Sequence, residues 1–252
     1  MVALSRSARL AAWGSSWLAG ATSLDEADER IRADDVAHHV SGLSDDGGAT
    51  TLLLALGTLR TRGTKRFSLA LPAPGDPLGL AGPKEFVEAA VEAGEAVLCQ
   101  PVGIGLIPHV VGEGVQWTVH PAGEPAPLAM SEVSLELTEV LQQCIDVLAD
   151  LDPAHLDELR WRGDVAEALA GLRAERRKGD GLPPGYPPRA EQLAARAWTC
   201  LSICELVLGD TGSVGTAADA EVRNEALRRL ERSARRGLVA AYAAPLSSEP
   251  AS

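Results

Sequence analysis

Alternating apolar and polar positions predict one strand that is followed by a rigid loop and a helix. Between residues 65 and 71, Phe67, Leu69 and Leu71 alternate with small or polar residues, as a half-buried strand requires. The twelve residues of 72–83 include four prolines and three glycines, a density that excludes regular structure. Pro83 occupies a favoured first helical position, and Gly94 ends the helix predicted over 84–93.

Three further strands are predicted at 95–100, 103–111 and 115–120, and the last two form a hairpin closed at residues 112–114. A two-residue turn places His109, Thr118 and His120 on one polar face, whereas a three-residue turn separates the histidines. We favour the two-residue turn because it gives a wholly apolar opposite face. That face comprises Leu106, Pro108, Val110, Val115, Trp117 and Val119. Pro108 then predicts an edge strand, since proline lacks a ladder donor.

The first 61 residues combine helical and strand patterns. Leu10, Trp13, Trp17 and Leu18 share one side of a predicted first helix. We discount the weak likeness of the first 21 residues to an export signal, because residues 14–16 interrupt its apolar core. A capping box at 23–26 begins a second helix that ends near residue 33.

The pattern of residues 36–43 predicts a strand, with His38 a core residue and His39 a solvent residue. A turn containing Asp45 and Asp46 then caps a helix predicted over 49–61. Two carboxylates without further oxygen ligands are too few for a divalent cation, so we interpret them as a helix cap.

Beyond the proline-rich break at 121–127, apolar residues recur only at helical spacing. Helices are predicted over 131–151, from near 152, and over 164–178, 189–208 and 217–242, the last with a stripe that begins at Val222. Residues 179–188 form an exposed linker or a packed turn, and residues 245–252 are predicted to be disordered.

The fold class predicted is α+β. A small mixed sheet with flanking helices occupies residues 1–128, and about four helices occupy 129–252, with 189–243 as a helical hairpin.

The composition of the chain argues against several classes of function. The 252 residues carry a formal net charge of -12, shared by both halves, which argues against nucleic-acid binding. The four cysteines form no CxxC pair and no zinc-type cluster, so we interpret them as small core residues of a protein in the reducing cytoplasm. No apolar run has the length needed to cross a membrane, and no metal site or cofactor fingerprint is expected.

Two candidate ligand sites follow from these patterns. The first is the loop before the 84–93 helix, where Lys84 and free backbone N–H groups suit an anion; it comprises Gly75, Asp76, Gly79, Gly82 and Lys84. Its glycine spacing matches neither a dinucleotide fingerprint nor a Walker loop, and a stiff crossover loop is the alternative interpretation. The second is the polar face of the hairpin, where His109 and His120, with Thr118, can orient a polar ligand or transfer protons.

We recognise no known family in these motifs, and two functions remain open. The favoured hypothesis is a non-catalytic cytoplasmic interaction or regulatory protein, which docks a protein partner or self-associates through its C-terminal helices. The alternative is a small-molecule protein or enzyme that binds an anionic ligand. It requires the 72–84 loop and the polar face of the 103–120 hairpin to converge on one cleft.

Overall fold

The computed structural model describes residues 5–43, 48–151, 181–209 and 216–247, which belong to two compact units. The first unit contains the described residues up to Leu128, together with segments 182–188 and 242–247. The second contains the described residues of 129–181 and 189–241. The fold is α+β, as predicted, with one six-stranded mixed sheet and seven helices within the described residues.

The sheet of the first unit has the strand order β2-β1-β6-β5-β4-β3. Strands β1 and β6 run parallel, and every other neighbouring pair is antiparallel. Its strands are β1 His38–Ser41, β2 Ala49–Thr51, β3 Arg66–Ala70, β4 Ala96–Gln100, β5 Ile104–Val111 and β6 Gly114–Pro121. Its helices are α1 Arg6–Leu18, α2 Leu24–Arg32, α3 Leu52–Thr61 and α4 Lys84–Ala93.

Helices α1 and α4 cover opposite faces of the sheet. The backbone of α1 meets the ring of Phe67 at Gly14, where an added Cβ would lie 2.7 Å from the ring. On the other face, Phe86 of α4 packs in a buried cluster. Its other members are Ala70, Ala90, Ala96, Leu98 and Ile107. These two packings leave β3 and β4 buried on both faces.

The prediction of a half-buried strand at 65–71 is therefore wrong in one respect, because β3 is buried on both faces. Ser68 and Ala70, expected to face solvent, are 6% and 0% exposed. The edge of β3 is also occupied, since the hydroxyl of Ser15 accepts a hydrogen bond from the Phe67 N–H and donates to its carbonyl. The small residues of α1 that break its apolar stripe permit this close approach, so nearly the whole circumference of α1 is buried.

The hairpin prediction is confirmed. Val111 pairs with Gly114, so the turn consists of Gly112 and Glu113, and Gly112 has the positive φ of 61° that such turns need. The edge-strand prediction from Pro108 is wrong, because β5 lies between β4 and β6. Pairing with β4 ends at Leu106, however, so Pro108 lies beyond the neighbouring strand and disturbs no bond to it.

Two helices begin differently from the prediction. Ser23 accepts a hydrogen bond from the Glu26 N–H as the capping box requires, but the Glu26 carboxylate accepts from Thr22 instead of returning the bond. The helix predicted from residue 49 begins at Leu52, because Ala49–Thr51 pairs with β1 as β2. Asp45 and Asp46 lie outside the described residues.

The second unit contains three described helices, α5 Met130–Leu151, α6 Pro188–Gly209 and α7 Ala217–Tyr242. The backbone of α7 approaches both partners at Gly237, where an added Cβ would lie 3.1 Å from Ala197 and 3.4 Å from Leu137. Val222, expected on the buried stripe of α7, is 49% exposed. The helices predicted between 152 and 178 lie outside the described residues, so the expected count of about four is not established.

The proline-rich segment 182–188 is a packed turn, which decides between the two alternatives for it. Tyr186 is buried, and its hydroxyl donates to the Tyr242 carbonyl at 3.2 Å. The Ser247 N–H donates to the Gly185 carbonyl at 2.9 Å, so the disorder predicted from residue 245 is wrong for 245–247. Among the described helices, none combines the length and apolar character needed to cross a membrane.

Candidate functional site

On part of the α4 side of the sheet the strands carry polar side chains, and no helix of the described residues is seen to pack over them. The strand register places Gln116 between His39 on one side and His109 on the other, and Thr51 next to His39. We call this surface the open face, and it comprises His39, Ser41, Thr51, His109, Gln116, Thr118 and His120. None of these residues is an aspartate, glutamate, lysine or arginine, so the open face is polar but uncharged when its histidines are neutral.

Two histidines of the open face meet at one hydroxyl. The Nε2 atoms of His109 and His120 lie 3.1 Å and 2.9 Å from Oγ1 of Thr118. Because a threonine hydroxyl carries one proton, it donates to one neutral imidazole and accepts from the other. The three side chains thus form a hydrogen-bonded chain along which a proton can move between the two rings.

Partial burial, followed by the positive charge of nearby His109, lowers the pKa of His120 below its ordinary value of 6.5. The ring of His120 also packs against Phe86 of α4, with centroids 5.9 Å apart. Near neutral pH, His120 is therefore a neutral imidazole that can accept a proton from a ligand.

The structure brings the end of the predicted loop to the hairpin. The Gly123 N–H, just after β6, donates to the Ala81 carbonyl at 2.7 Å, and a Cβ at Gly82 would lie 3.1 Å from Ala122. Phe86, in the first turn of α4, links this junction to His120.

The start of the loop forms a separate feature. Ala73 and Asp76 exchange two backbone hydrogen bonds in a tight turn in which Gly75 has a φ of 78°. Gly79 occupies a second turn, with a φ of 75°, directly after Leu78. Lys84 stands at the start of α4, but its side chain is 80% exposed and pairs with Glu88 at 3.4 Å.

A partly buried ion cluster, which no sequence pattern indicated, lies on the opposite side of the sheet from the open face. The carboxylate of Asp35 accepts hydrogen bonds from Arg6, Arg9 and His38. We call this set, with Trp117, the Asp35 cluster. Burial by itself would raise the pKa of Asp35, but the hydrogen bonds from Arg6 and His38 outweigh it and hold that pKa below 3.8.

The protonation state of His38 follows from its two partners. The Trp117 indole N–H can only donate, so His38 Nδ1, 3.3 Å away, must accept, and the ring proton is on Nε2, 3.0 Å from Asp35. Burial lowers the pKa of His38, although the bond to Asp35 opposes this. His38 is thus the satisfied core histidine that the sequence predicts, and neither ring nitrogen is free for catalysis.

The thiols are also unsuited to nucleophilic chemistry. All four cysteines are buried. Burial raises the pKa of Cys200 to about 11 and that of Cys204 to about 12, and it also raises those of Cys99 and Cys144. A thiol of such a pKa carries no appreciable thiolate near neutral pH. Within the described residues, no group of three or more His, Cys, Asp or Glu side chains is arranged to hold a metal ion.

Comparison with known proteins identifies relatives for the whole chain. Residues 7–132 match the N-terminal domain of the Rv1486c-like protein family, and residues 131–239 match its C-terminal domain. The chain belongs to the Rv1486c-like family. It is 27% identical to the uncharacterized protein Rv1486c of Mycobacterium tuberculosis strain H37Rv, over 96% of this chain and 97% of that protein. The uncharacterized protein MT1533 of strain CDC 1551 matches with the same identity and coverage. No solved structure matches.

The Asp35 cluster gives this Rv1486c-like protein an expected dependence of stability on pH. Because the pKa of His38 is lower in the folded than in the unfolded state, the unfolded state binds a proton first as pH falls below about 6.5. Stability is therefore lost from there down to the folded pKa, by at most about 1.4 kcal/mol per pH unit for this one proton. Below pH 3.8, protonation of Asp35 adds a further loss.

Urea unfolding between pH 8 and pH 5 measures this dependence, with His38→Gln as the variant that lacks the titrating group. The slope below pH 6.5 should be shallower in His38→Gln than in the unmodified protein. His120→Gln is the matched control, and it should change the slope less, because His120 is more exposed than His38. Equal slopes in His38→Gln and the unmodified protein would contradict our account of His38.

Proposed function

We propose that this Rv1486c-like protein is a non-catalytic cytoplasmic interaction protein that self-associates through α5 and α7. The observation that carries the proposal is the exposure of large apolar side chains on these helices. Leu135 and Ile145 of α5 are 60% and 44% exposed, and Val222 of α7 is 49% exposed. Exposed large apolar side chains are found at protein–protein contact sites, although single exposed ones are also common on monomers.

The charges of the two helices support a second copy as the partner. Helix α5 contains five acidic residues and no basic one, whereas α7 contains six arginines and four acidic residues. Within one chain they already interact in antiparallel register, through Arg236 with Glu136 and Arg229 with Gln143. In a two-fold dimer each copy presents the same patch to the other, so α5 of one copy can face α7 of the second and the reverse.

The state of the reactive side chains supports a function without catalysis. His38 has both ring nitrogens engaged in hydrogen bonds, and the four thiols are buried and protonated. The His109–Thr118–His120 chain is an accessible acid–base group, and the contacts of the described residues provide no carboxylate partner for it.

Light scattering coupled to size-exclusion chromatography tests the proposal. We expect a dimer at micromolar concentration, and we expect Leu135→Asp/Val222→Asp to weaken the dimer by about 100-fold, because each substitution replaces an apolar contact with a carboxylate that must lose its water. Val110→Asp is the matched control, since Val110 of the first unit is 62% exposed and lies outside α5 and α7. A monomeric unmodified protein, or a double variant as dimeric as the control, would contradict self-association.

A small-molecule site on the open face is the second candidate function. It is supported by the Phe86–His120 contact, which brings the first turn of α4 beside the His109–Thr118–His120 chain. A small anion bound there would meet the imidazole of His120, the Thr118 hydroxyl and the positive end of the α4 dipole.

Thermal shift measurements with inorganic phosphate and with small carboxylates test this candidate. A ligand present at about 100 times its Kd stabilises the folded state by about 2.7 kcal/mol, which raises the melting temperature by several degrees. The shift should disappear in His109→Ala/His120→Ala and weaken in Lys84→Ala, while Lys65→Ala should retain it. A shift that survives in the histidine variant would place the ligand elsewhere.

A further inference from the structure

Two tryptophans of α1 make cation–π contacts with arginines from two other helices. Trp13 and Trp17 are separated by four residues, so their side chains are neighbours on one face of α1. The guanidinium carbon of Arg30, from α2, lies 5.3 Å from the Trp13 ring, and that of Arg60, from α3, lies 5.1 Å from the Trp17 ring. We call these four residues the arginine–tryptophan surface.

The stacking holds the two guanidinium groups while leaving their donors available. The indoles are nearly buried, at 8% and 7% exposed, whereas both arginines are exposed. A guanidinium that stacks on a ring through its face keeps its N–H groups at the periphery, where they can bind a carboxylate in bidentate fashion. The stack also restricts the side chain, so less entropy is lost when a partner binds.

Neither arginine forms an ion pair within the described residues, even though carboxylates are close in sequence. Helix α2 contains four acidic residues among its nine. Arg32 pairs with one of them, Asp28, at 2.9 Å. Glu26, one turn before Arg30, instead accepts a hydrogen bond from Thr22 at 2.7 Å. In a chain with 35 acidic and 23 basic residues, these two guanidinium groups are therefore exposed positive charges that no carboxylate of the described residues neutralises in an ion pair.

We propose that the arginine–tryptophan surface docks an acidic segment of another protein. The occupant is a peptide rather than a small anion, because the two guanidinium groups come from separate helices and lie over two different rings, so each can bind a different carboxylate of one chain. Small ligands, in contrast, are usually held in concave pockets that bury most of their surface. Because the chain as a whole carries -12, an acidic partner is attracted where exposed arginines lack carboxylate partners, as on this surface. This surface is distinct from α5 and α7.

Titration of the intact protein with a short glutamate-rich peptide tests the proposal, with intrinsic tryptophan fluorescence and calorimetry as the two measurements. Binding should weaken by about tenfold in Arg30→Gln/Arg60→Gln, because two charge-assisted contacts are lost. Arg30→Lys/Arg60→Lys should weaken it by a smaller factor, since the charge remains but the planar fork does not. Circular dichroism establishes that each variant is folded.

Arg32→Gln is the matched control, because it removes the same charge from α2 but at a side chain that already pairs with Asp28. Binding in this control should stay within about twofold of the unmodified protein. A double glutamine variant that binds as well as the control would overturn the proposal. Competition by inorganic phosphate at the same molar concentration as the peptide would also overturn it, since a small anion would then be the preferred occupant.

Discussion

Replacing Asp35 with alanine is expected to lower the free energy of unfolding by about 3 kcal/mol, because it leaves several buried donors without an acceptor. The carboxylate accepts two hydrogen bonds from Arg6, at 2.9 and 2.7 Å, one from Arg9 at 3.2 Å and one from His38 at 3.0 Å. Its side chain is 12% exposed, so solvent weakens these interactions only in part. Loss of the Asp35 carboxylate also leaves the His38 imidazole without the hydrogen bond that orients it against Trp117.

Chemical denaturation followed by tryptophan fluorescence measures this effect. Asp34→Ala is the control, since Asp34 is adjacent in sequence but exposed, and it should change stability by less than about 0.5 kcal/mol. The loss of stability in Asp35→Asn should lie between those of Asp35→Ala and Asp34→Ala. The asparagine side chain keeps one acceptor oxygen but lacks the negative charge. If Asp35→Ala proves as mild as Asp34→Ala, the cluster contributes far less than its geometry indicates.

The second large effect is expected at Gly105, the second residue of β5. A Cβ added there would lie 2.5 Å from Cε2 and 2.6 Å from Cζ of Phe86, and 3.2 Å from Cβ of Ala122. Phe86 is 1% exposed and anchors α4 on the sheet, so its ring has little room to move. We expect Gly105→Ala to destabilise the protein by about 2 to 3 kcal/mol through overpacking.

A second substitution separates overpacking from a change in strand propensity. Phe86→Leu shortens the side chain over Gly105, so Gly105→Ala should cost less in the Phe86→Leu background than in the unmodified protein. Gly57→Ala is the control for the glycine change itself. Gly57 lies in α3 with no atom within 4 Å of the added Cβ, and its replacement should stabilise the helix by about 0.5 to 1 kcal/mol. Additive effects of the Gly105 and Phe86 changes would contradict direct contact.

The parts of the fold that were predictable are those in which neighbouring residues determine the result. Alternation over β5 and β6, with glycine at 112, was enough to predict the two-residue turn and to place His109 and His120 on one face. The position of His38 as a core residue followed from the same alternation. In each case the period of two distinguishes the buried from the exposed face of a strand.

The remaining features depend on contacts between residues far apart in the chain. The Ser15 hydroxyl is engaged with Phe67, 52 residues later, and nothing near Ser15 indicates that partner. Asp35 was unremarkable in sequence, and its role required Arg6 and Arg9 to arrive from α1. The helix predicted from residue 49 began too early because β1 takes Ala49–Thr51 into the sheet, a pairing that overrides local helix propensity.

The candidate site was foreseen only in part. The register predicted that His109, Thr118 and His120 share one face of the hairpin, but it did not predict that the Thr118 hydroxyl bonds both imidazoles. The contact of Phe86 with His120 could not be predicted, because it depends on the path of the loop and on the missing side chain at Gly105. The arginine–tryptophan surface was missed for a similar reason, since its members come from three helices.

The way in which the sheet ends has a consequence for how the protein behaves when concentrated. At one margin, the outward-facing N–H and carbonyl of Phe67 are occupied by Ser15. At the other, β2 is only three residues long and runs directly into α3. Neither margin offers an invading chain a long row of free backbone groups, which is the template that amyloid growth requires. The folded protein is thereby protected against fibril formation by strand addition.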